Sequence, residues 1–185
     1  MSQQSVAPGL LLAMPQMLDP NFYRAVVLML DHGEIGSFGL IINRPLDAPV
    51  SGVMSQLGLR WKGDPDAVVF LGGPVETGSG WLLHEPLGES GAKETLSFAP
   101  DLAVSTSRDV FSRVASEPPE RVRLLLGYAG WGPGQLEREL SEGAWVLSDV
   151  SADFVFSTPP EEMWEAALRR LHVDPASLIP AGGVH

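Results

Sequence analysis

Residues 127–147, GYAGWGPGQLERELSEGAWVL, carry the clearest indication of a binding site in this sequence. Glycines at positions 127, 130, 132 and 134 surround a tryptophan and a proline, between a hydrophobic segment and a short acidic one. Glycine-rich turns between a strand and a helix bind pyrophosphate in dinucleotide-binding proteins, where the order is G-x-G-x-x-G. Here the order is reversed, G-x-x-G-x-G, so the motif does not predict a dinucleotide site.

The charges that follow this turn argue against an anionic ligand. Pro133 removes one free amide at the start of the predicted helix, and Glu137 and Glu139 place negative charge in its first turns. Because carboxylates there already complement the helix dipole, a bound anion would be repelled. We interpret the segment as a tight strand-to-helix turn beneath Trp131, and the alternative is a site for a neutral or cationic ligand.

A second glycine-rich segment, VVFLGGPVETGSG, follows another predicted strand. Gly73 and Gly78 have the spacing of a phosphate-binding P-loop, but Ser79 and Gly80 occupy the positions that require Lys and Ser or Thr. Without the lysine nothing neutralises the β- and γ-phosphates. The segment after it, WLLHEP, has the pattern of a strand rather than a helix. The sequence therefore does not predict a P-loop.

The segment IINRP, residues 41–45, places two polar side chains where an apolar strand ends. Asn43 offers a donor and an acceptor, and Arg44 offers a planar fork for a carboxylate or phosphate. Either residue could therefore contact a ligand. The alternative is that Asn43 caps a turn and Arg44 pairs with one of the many carboxylates of the chain.

No recognisable catalytic or metal-binding pattern accompanies these segments. The sequence has no cysteine, which excludes disulfides, thiolate metal sites and thiol nucleophiles. It has no G-x-S-x-G nucleophile motif. Its four histidines, at positions 32, 84, 172 and 185, are not paired at metal-ligand spacing. We therefore predict no metal and no cofactor.

The charge of the chain limits its partners. Twelve basic and 23 acidic residues give a formal net charge of −11, and a surface this negative repels nucleic acid and anionic lipids. Arg121 and Arg123 alternate on a predicted strand and are expected to face solvent. The N-terminal residues MSQQSVAPG contain no basic residue of a secretory signal, and no apolar run is long enough to span a membrane. We expect a cytoplasmic protein without direct nucleic acid binding or membrane association.

Strands are the main elements that would position the candidate residues. A hairpin is predicted with arms at 24–30 and 38–42, and both arms are almost continuously apolar, which indicates strands covered on both faces. Further strands are expected at 10–13, 68–71, 81–84, 95–98, 102–105, 121–126 and 144–147. Helices are expected at 51–57, 106–115 and 133–142 and after Thr158, with Thr106 and Thr158 each opening a capping box.

The order of these elements favours the α+β class. Strands dominate and do not alternate regularly with helices, so the sheet is expected to be mixed and mainly antiparallel, with a few peripheral helices. The length of 185 residues suits one compact domain. We place this domain at 9–175, between a flexible tail at 1–8 and a C-terminal tail at 176–185.

Four segments together resemble the bacterial AlgH/YqgE family in order and spacing. They are GLLLAMPQMLDPNFYRAVVLMLDH, GSFGLIINRPL, FLGGPV and the 127–147 motif. The resemblance covers about residues 8–172 and implies coiled, bifurcated β-sheets. Some members of the family are labelled as transcriptional regulators. The resemblance implies no agreed catalytic residues.

We therefore expect a non-enzymatic regulatory protein that binds a small ligand or a protein partner, with a homodimer as the default assembly. In this hypothesis the 127–137 turn and the end of the 38–42 strand converge on one site, with Trp131 as its apolar anchor. The candidate ligand- or partner-binding residues are Asn43, Arg44, Gly72, Gly73, Gly130, Trp131, Gln135 and Glu137. The alternative is an enzyme in which Glu137 or Glu139 is a general base and Arg44 an electrophilic clamp, which requires a buried carboxylate beside Arg44.

Overall fold

The computed structural model describes residues 6–87, 96–99 and 101–173. Its strands are β1 (Gly9–Ala13), β2 (Val26–Gly33), β3 (Gly36–Ile41), β4 (Pro45–Pro49), β5 (Val68–Leu71), β6 (Val75–His84), β7 (Leu96–Ala99), β8 (Leu102–Ser105), β9 (Val122–Trp131) and β10 (Trp145–Ser148). Its helices are α1 (Val50–Gln56), α2 (Arg108–Ser116), α3 (Gln135–Ser141), α4 (Ala152–Ser157) and α5 (Pro160–Arg170). Most of the predicted N-terminal tail and all of the predicted C-terminal tail lie outside the described residues.

The strands form one branched sheet with the order β10-β1-β2-β3-β9-β6-β8-β7, and β5 and β4 branch from β9. The first half of β9 pairs with β6 and β5, and its last residues pair with β3. The β5–β9 pair is parallel, and the other described pairs are antiparallel. The structure thus confirms the α+β class and the bifurcated, mainly antiparallel mixed sheet.

The central strands are apolar on both faces because both faces are covered. Leu10, Leu12 and Leu28 pack on one side with α4 and α5, in a cluster that includes Trp164. Leu11 lies on the other side, with α3 and the two tryptophans of the 127–147 motif. This alternation follows from the two-residue period of a strand and confirms the prediction for the hairpin arms. A third cluster lies under α1 and α2.

Several local predictions differ from the structure. Ser107, not Thr106, caps α2, and its hydroxyl accepts from the amide of Val110. Helix α5 begins after Pro159 without a side-chain cap, because Thr158 ends the preceding helix α4. Helix α4 and strand β4 were not predicted, since each is short and its pattern is weak. None of the described helices has the length and apolar character needed to cross a membrane.

Candidate functional site

The 127–147 motif folds differently from the predicted turn, because strand β9 continues through it to Trp131. Gly130 and Trp131 pair with β3 opposite Phe38 and Ser37. The predicted end of the strand at Leu126 is therefore wrong. Gly127 has a φ of +75°, which a glycine adopts without strain, so the chain bends there and passes from one branch of the sheet to the other.

Glu139 is the centre of a hydrogen-bond network inside this motif. Its Oε1 accepts from the indole N–H groups of Trp131 (3.2 Å) and Trp145 (2.9 Å). Its Oε2 accepts from the Gln135 side-chain amide (2.8 Å), and Gln135 Oε1 in turn accepts from the backbone N–H of Gly132 (3.0 Å). The carboxylate therefore joins α3 to the ends of β9 and β10.

Asn43 and Arg44 organise the loop at 14–25 that connects β1 to β2. Asn43 Oδ1 accepts from the amide of Val26, and its Nδ2 donates to the carbonyl of Arg24, both at 3.0 Å. The Arg44 guanidinium donates to two further loop carbonyls, those of Pro20 and Tyr23. Neither residue follows the expectation of a turn cap or a carboxylate pair, because both bond to backbone groups across the fold.

Phe22 connects this loop to the Glu139 network. Its ring lies 6.0 Å from that of Trp131 and 5.6 Å from that of Trp145, and the two indoles are 5.7 Å apart. We call Phe22, Trp131, Gln135, Glu139 and Trp145 the Trp131 network. The strand end at Asn43 and the 127–137 motif are thus joined through packed protein groups rather than across an open pocket.

The Gly72-Gly73 pair lies where the two branches of the sheet separate. The amide of Gly72 donates to the carbonyl of Leu126, and its own carbonyl accepts from Ile41, both at 2.7 Å. A Cβ atom on Gly72 or Gly73 would overlap main-chain atoms of Gly127 or Tyr128. These glycines allow two backbones to come close together, and the structure gives them no role in holding phosphate.

The predicted site residues Gly130 and Trp131 line a depression of about 410 Å³, and Asn43 and Arg44 are not part of its lining. Glu137 is exposed on α3, and within the described part of the chain it makes no side-chain hydrogen bond or ion pair. The motif thus brings Trp131, Gln135 and Glu139 together and leaves Glu137 in solvent.

A larger cavity, about 710 Å³, lies over the parallel β5–β9 pair, where the sequence predicted no site. Its apolar wall consists of the partly exposed side chains of Trp61, Ala67, Val68 and Val122, and the buried side chains of Val50, Met54, Phe70, Leu82 and Leu124 complete the lining. Four prolines also line it, at positions 45, 118, 119 and 160, together with the charged residues Lys62, Asp64, Asp66, Glu120 and Arg123. We call it the β5–β9 cleft. Its size is that of a small-molecule site, and its lining combines apolar and polar groups in similar proportion.

Arg123 is half-buried in this cleft, contrary to the prediction that it faces solvent. Its guanidinium carbon lies 5.0 Å from the centre of the Phe70 ring, and one terminal nitrogen donates to the carbonyl of Phe156 at 3.2 Å. Burial lowers the pKa of Arg123 below its ordinary value. The prediction failed because α4, which the sequence pattern did not reveal, ends beside this strand and covers it.

His84 and Ser105 form a second polar pair that sequence reasoning did not find. His84 Nδ1 donates to the carbonyl of Glu85 at 2.7 Å, so its Nε2 accepts from the Ser105 hydroxyl at 2.8 Å. Burial lowers the pKa of His84 and outweighs the opposing effect of Glu85. The geometry is that of a base beside a nucleophile, but the side chains are 0% and 1% exposed. No substrate can reach them, so we assign the pair to the core.

The family of this chain follows from comparison with known proteins. A family model described as AlgH-like (DUF179) matches residues 10–176. The chain belongs to the AlgH-like family. It is 44% identical to a UPF0301 protein of Myxococcus xanthus over 98% of this chain and 99% of the relative. It is also 44% identical to a UPF0301 protein of Laribacter hongkongensis over 94% of each chain.

Solved structures of relatives have the same fold as this AlgH-like chain. The solution structure of the AlgH protein from Pseudomonas aeruginosa is similar to it with a TM-score of 0.74 and 40% identity over the whole of both chains. The crystal structure of protein DIP2367 from Corynebacterium diphtheriae also gives a TM-score of 0.74, at 25% identity over 97% of this chain and 93% of the other. These similarities confirm the AlgH-like family and the α+β fold expected from the sequence.

Proposed function

We propose that this AlgH-like protein is a non-enzymatic binding protein whose ligand occupies the β5–β9 cleft. The observation that carries the proposal is the cleft itself, with a volume of about 710 Å³, a partly exposed apolar wall and a half-buried arginine. Ligand sites in proteins are typically apolar cavities of this size with a few polar groups that fix orientation. In this proposal, the protein regulates because ligand binding in the cleft changes how it binds a partner protein.

The polar residues of the motif support a binding function over the enzymatic alternative. That alternative needs Arg44 beside a carboxylate in a cleft, but the Arg44 guanidinium donates to two loop carbonyls. The Glu139 carboxylate already accepts three hydrogen bonds, from two indoles and an amide. A general base with its acceptor positions occupied by structural donors is poorly suited to take a proton from a substrate.

The charge of the protein supports an indirect route to any regulation. A net charge of −11 opposes approach to the phosphate backbone of DNA. We therefore propose that regulation operates through ligand and partner binding, without direct contact with nucleic acid. A filter-binding measurement at low salt with duplex DNA tests this part, and retention of DNA that falls steeply with added salt would contradict it.

The cleft is tested by filling it. Val68 lines the cleft and is 36% exposed, and Val75 is a strand valine with the same exposure outside it. We expect the neutral fluorophore Nile red to bind the wild-type protein and Val75→Trp, and to lose binding in Val68→Trp. A thermal-shift screen of neutral and charged small molecules should give hits that stabilise the wild-type protein and Val75→Trp but not Val68→Trp. Each hit should stabilise by about 2.7 kcal/mol at a hundredfold excess over its Kd.

Two results would contradict the proposal. One is the absence of any dye binding or thermal shift in the wild-type protein. The other is binding that Val68→Trp and Val75→Trp reduce equally, since that would locate the site elsewhere. Unfolding curves of both variants establish that each is folded before binding is measured.

A further inference from the structure

Arg121 and Arg123, two residues apart on the same segment, are partnered differently. The Arg121 guanidinium forms an ion pair with Asp153 at 2.9 Å. Within the part of the chain that the structure describes, no carboxylate lies within ion-pair distance of Arg123, and its one side-chain hydrogen bond goes to the carbonyl of Phe156. A guanidinium has five N–H donors, so most of those on Arg123 have no protein acceptor.

The surroundings of Arg123 favour an anion as its missing partner. The side chain is partly removed from water, and Phe70 supports one face of the guanidinium. A half-buried cation is more costly when unpaired than when it bonds an anion. The planar fork matches a carboxylate, which can accept two parallel hydrogen bonds from it.

The other charges of the cleft limit how much negative charge the ligand can carry. Asp64, Asp66 and Glu120 line the same cleft and are exposed, and Lys62 is the second cation there. Together with the net charge of −11, these carboxylates oppose a polyanion such as a nucleotide. A ligand with a single negative charge on Arg123 is attracted by the guanidinium and is repelled less by the nearby carboxylates than a polyanion would be.

The apolar wall of the cleft determines the rest of the ligand. Ala67, Val68 and Val122 are partly exposed in the cleft and present no polar side-chain atom. A hydrocarbon chain or ring gains free energy by leaving water for such a surface. The ligand therefore combines one anionic end with an apolar body.

We propose that the β5–β9 cleft binds a small apolar monocarboxylate, with the carboxylate on the Arg123 guanidinium and the hydrocarbon part on the apolar wall. This inference rests on the proposed function, because it specifies the ligand class of the same site. It does not follow from that function, since an apolar cleft could equally hold a neutral molecule.

Calorimetric titration with octanoate, 1-octanol and octylammonium tests the proposal, because the three probes share one hydrocarbon chain and differ in the charge of the head. We expect octanoate to bind about tenfold to a hundredfold more tightly than 1-octanol, and octylammonium to bind most weakly. Inorganic phosphate should not displace octanoate. Equal affinities for octanoate and 1-octanol would overturn the inference but leave the binding cleft in place.

Arg123→Gln is the decisive variant and Arg121→Gln its matched control. Arg123→Gln should reduce the affinity for octanoate to that for 1-octanol and leave 1-octanol binding unchanged, whereas Arg121→Gln should change neither. Unchanged octanoate binding in Arg123→Gln would overturn the inference. If Arg123→Gln does not fold, Arg123→Lys serves instead, and it should weaken octanoate binding while keeping the order of the three probes.

The two proposals fail in distinguishable ways. If no alkyl probe binds but Nile red binds in a manner that Val68→Trp abolishes, the carboxylate inference is wrong and the cleft remains. If neither the alkyl probes nor Nile red bind, both proposals are wrong. Octanoate binding that survives Val68→Trp would also overturn the inference, because the anion would then bind outside the cleft.

Discussion

The Trp131 network and the β5–β9 cleft lie in the same branched sheet but satisfy their polar groups in opposite ways. In the network, the Glu139 carboxylate and the indoles and amide that it binds all have internal partners. In the cleft, a half-buried arginine has donors without a protein acceptor. A group that is fully satisfied by the fold stabilises the fold, whereas a half-buried group with few protein partners has capacity for a ligand.

This comparison indicates that the sequence motifs have a structural role. The residues that resemble chemistry in the sequence, Asn43, Arg44, Gln135 and the paired glycines, join strands, loops and α3. The cleft is lined mostly by apolar, proline and charged residues outside these motifs, and only Pro45, Val68 and Phe70 belong to the motif segments. Substitutions in the motif should therefore act first on stability, and substitutions in the cleft first on binding.

The largest expected effect is that of Gly73→Ala. The new Cβ would overlap the main chain of Tyr128, which cannot move without disturbing β9. We expect the free energy of unfolding in urea to fall by about 4 kcal/mol or more. Gly78→Ala is the control, since a Cβ there meets no atom within 4 Å. Equal stability of the two variants would mean that the two backbones are not in close contact at the branch of the sheet.

Glu137 and Glu139, two residues apart on one helix, allow a sharper test. Glu139→Ala leaves two indole N–H groups and the Gln135 amide without their acceptor, and we expect a loss of about 2–4 kcal/mol in the free energy of unfolding. Glu137→Ala should lower the free energy of unfolding by less than about 1 kcal/mol, because its exposed side chain only complements the dipole of α3. If Glu139→Ala is as stable as wild type, the network does not hold α3 in place, and a binding role for Glu139 becomes the better explanation.

Arg44→Ala should have the smallest effect of the three, because it removes hydrogen bonds from a surface loop without creating a core cavity. We expect a loss of about 1–2 kcal/mol and faster amide hydrogen exchange in the loop that carries Phe22. Arg138→Ala, at an exposed position on α3, should change neither quantity. If Arg44→Ala leaves hydrogen exchange unchanged but weakens ligand binding, Arg44 has a binding role rather than a structural one.

The sequence predicted the parts of the fold that depend on local pattern. The apolar runs of the hairpin arms, β2 and β3, indicated strands buried on both faces, and the order of elements indicated an α+β sheet. Shorter elements were missed, since the six residues of α4 and the five of β4 carry too little periodicity to distinguish them from loop. The predicted N-cap of α2 was wrong by one residue. Thr106 and Ser107 offer equivalent hydroxyls, and the position of β8 decides which of them caps the helix.

The candidate residues were found in sequence, but their roles were not. The types and spacing of Asn43, Arg44 and the glycines identified them as residues with a specific role. The composition excluded disulfides and argued against nucleic acid binding. Whether a polar side chain is satisfied depends on partners distant in the chain, such as Asn43 with Val26 or Arg123 with Phe156. Hydrogen bonding and desolvation act over a few ångströms in space, regardless of separation along the chain. For that reason only the tertiary structure decided that the Arg44 guanidinium is bonded to two loop carbonyls and that the Arg123 guanidinium, among the described residues, is bonded to one carbonyl and keeps donors free in the cleft.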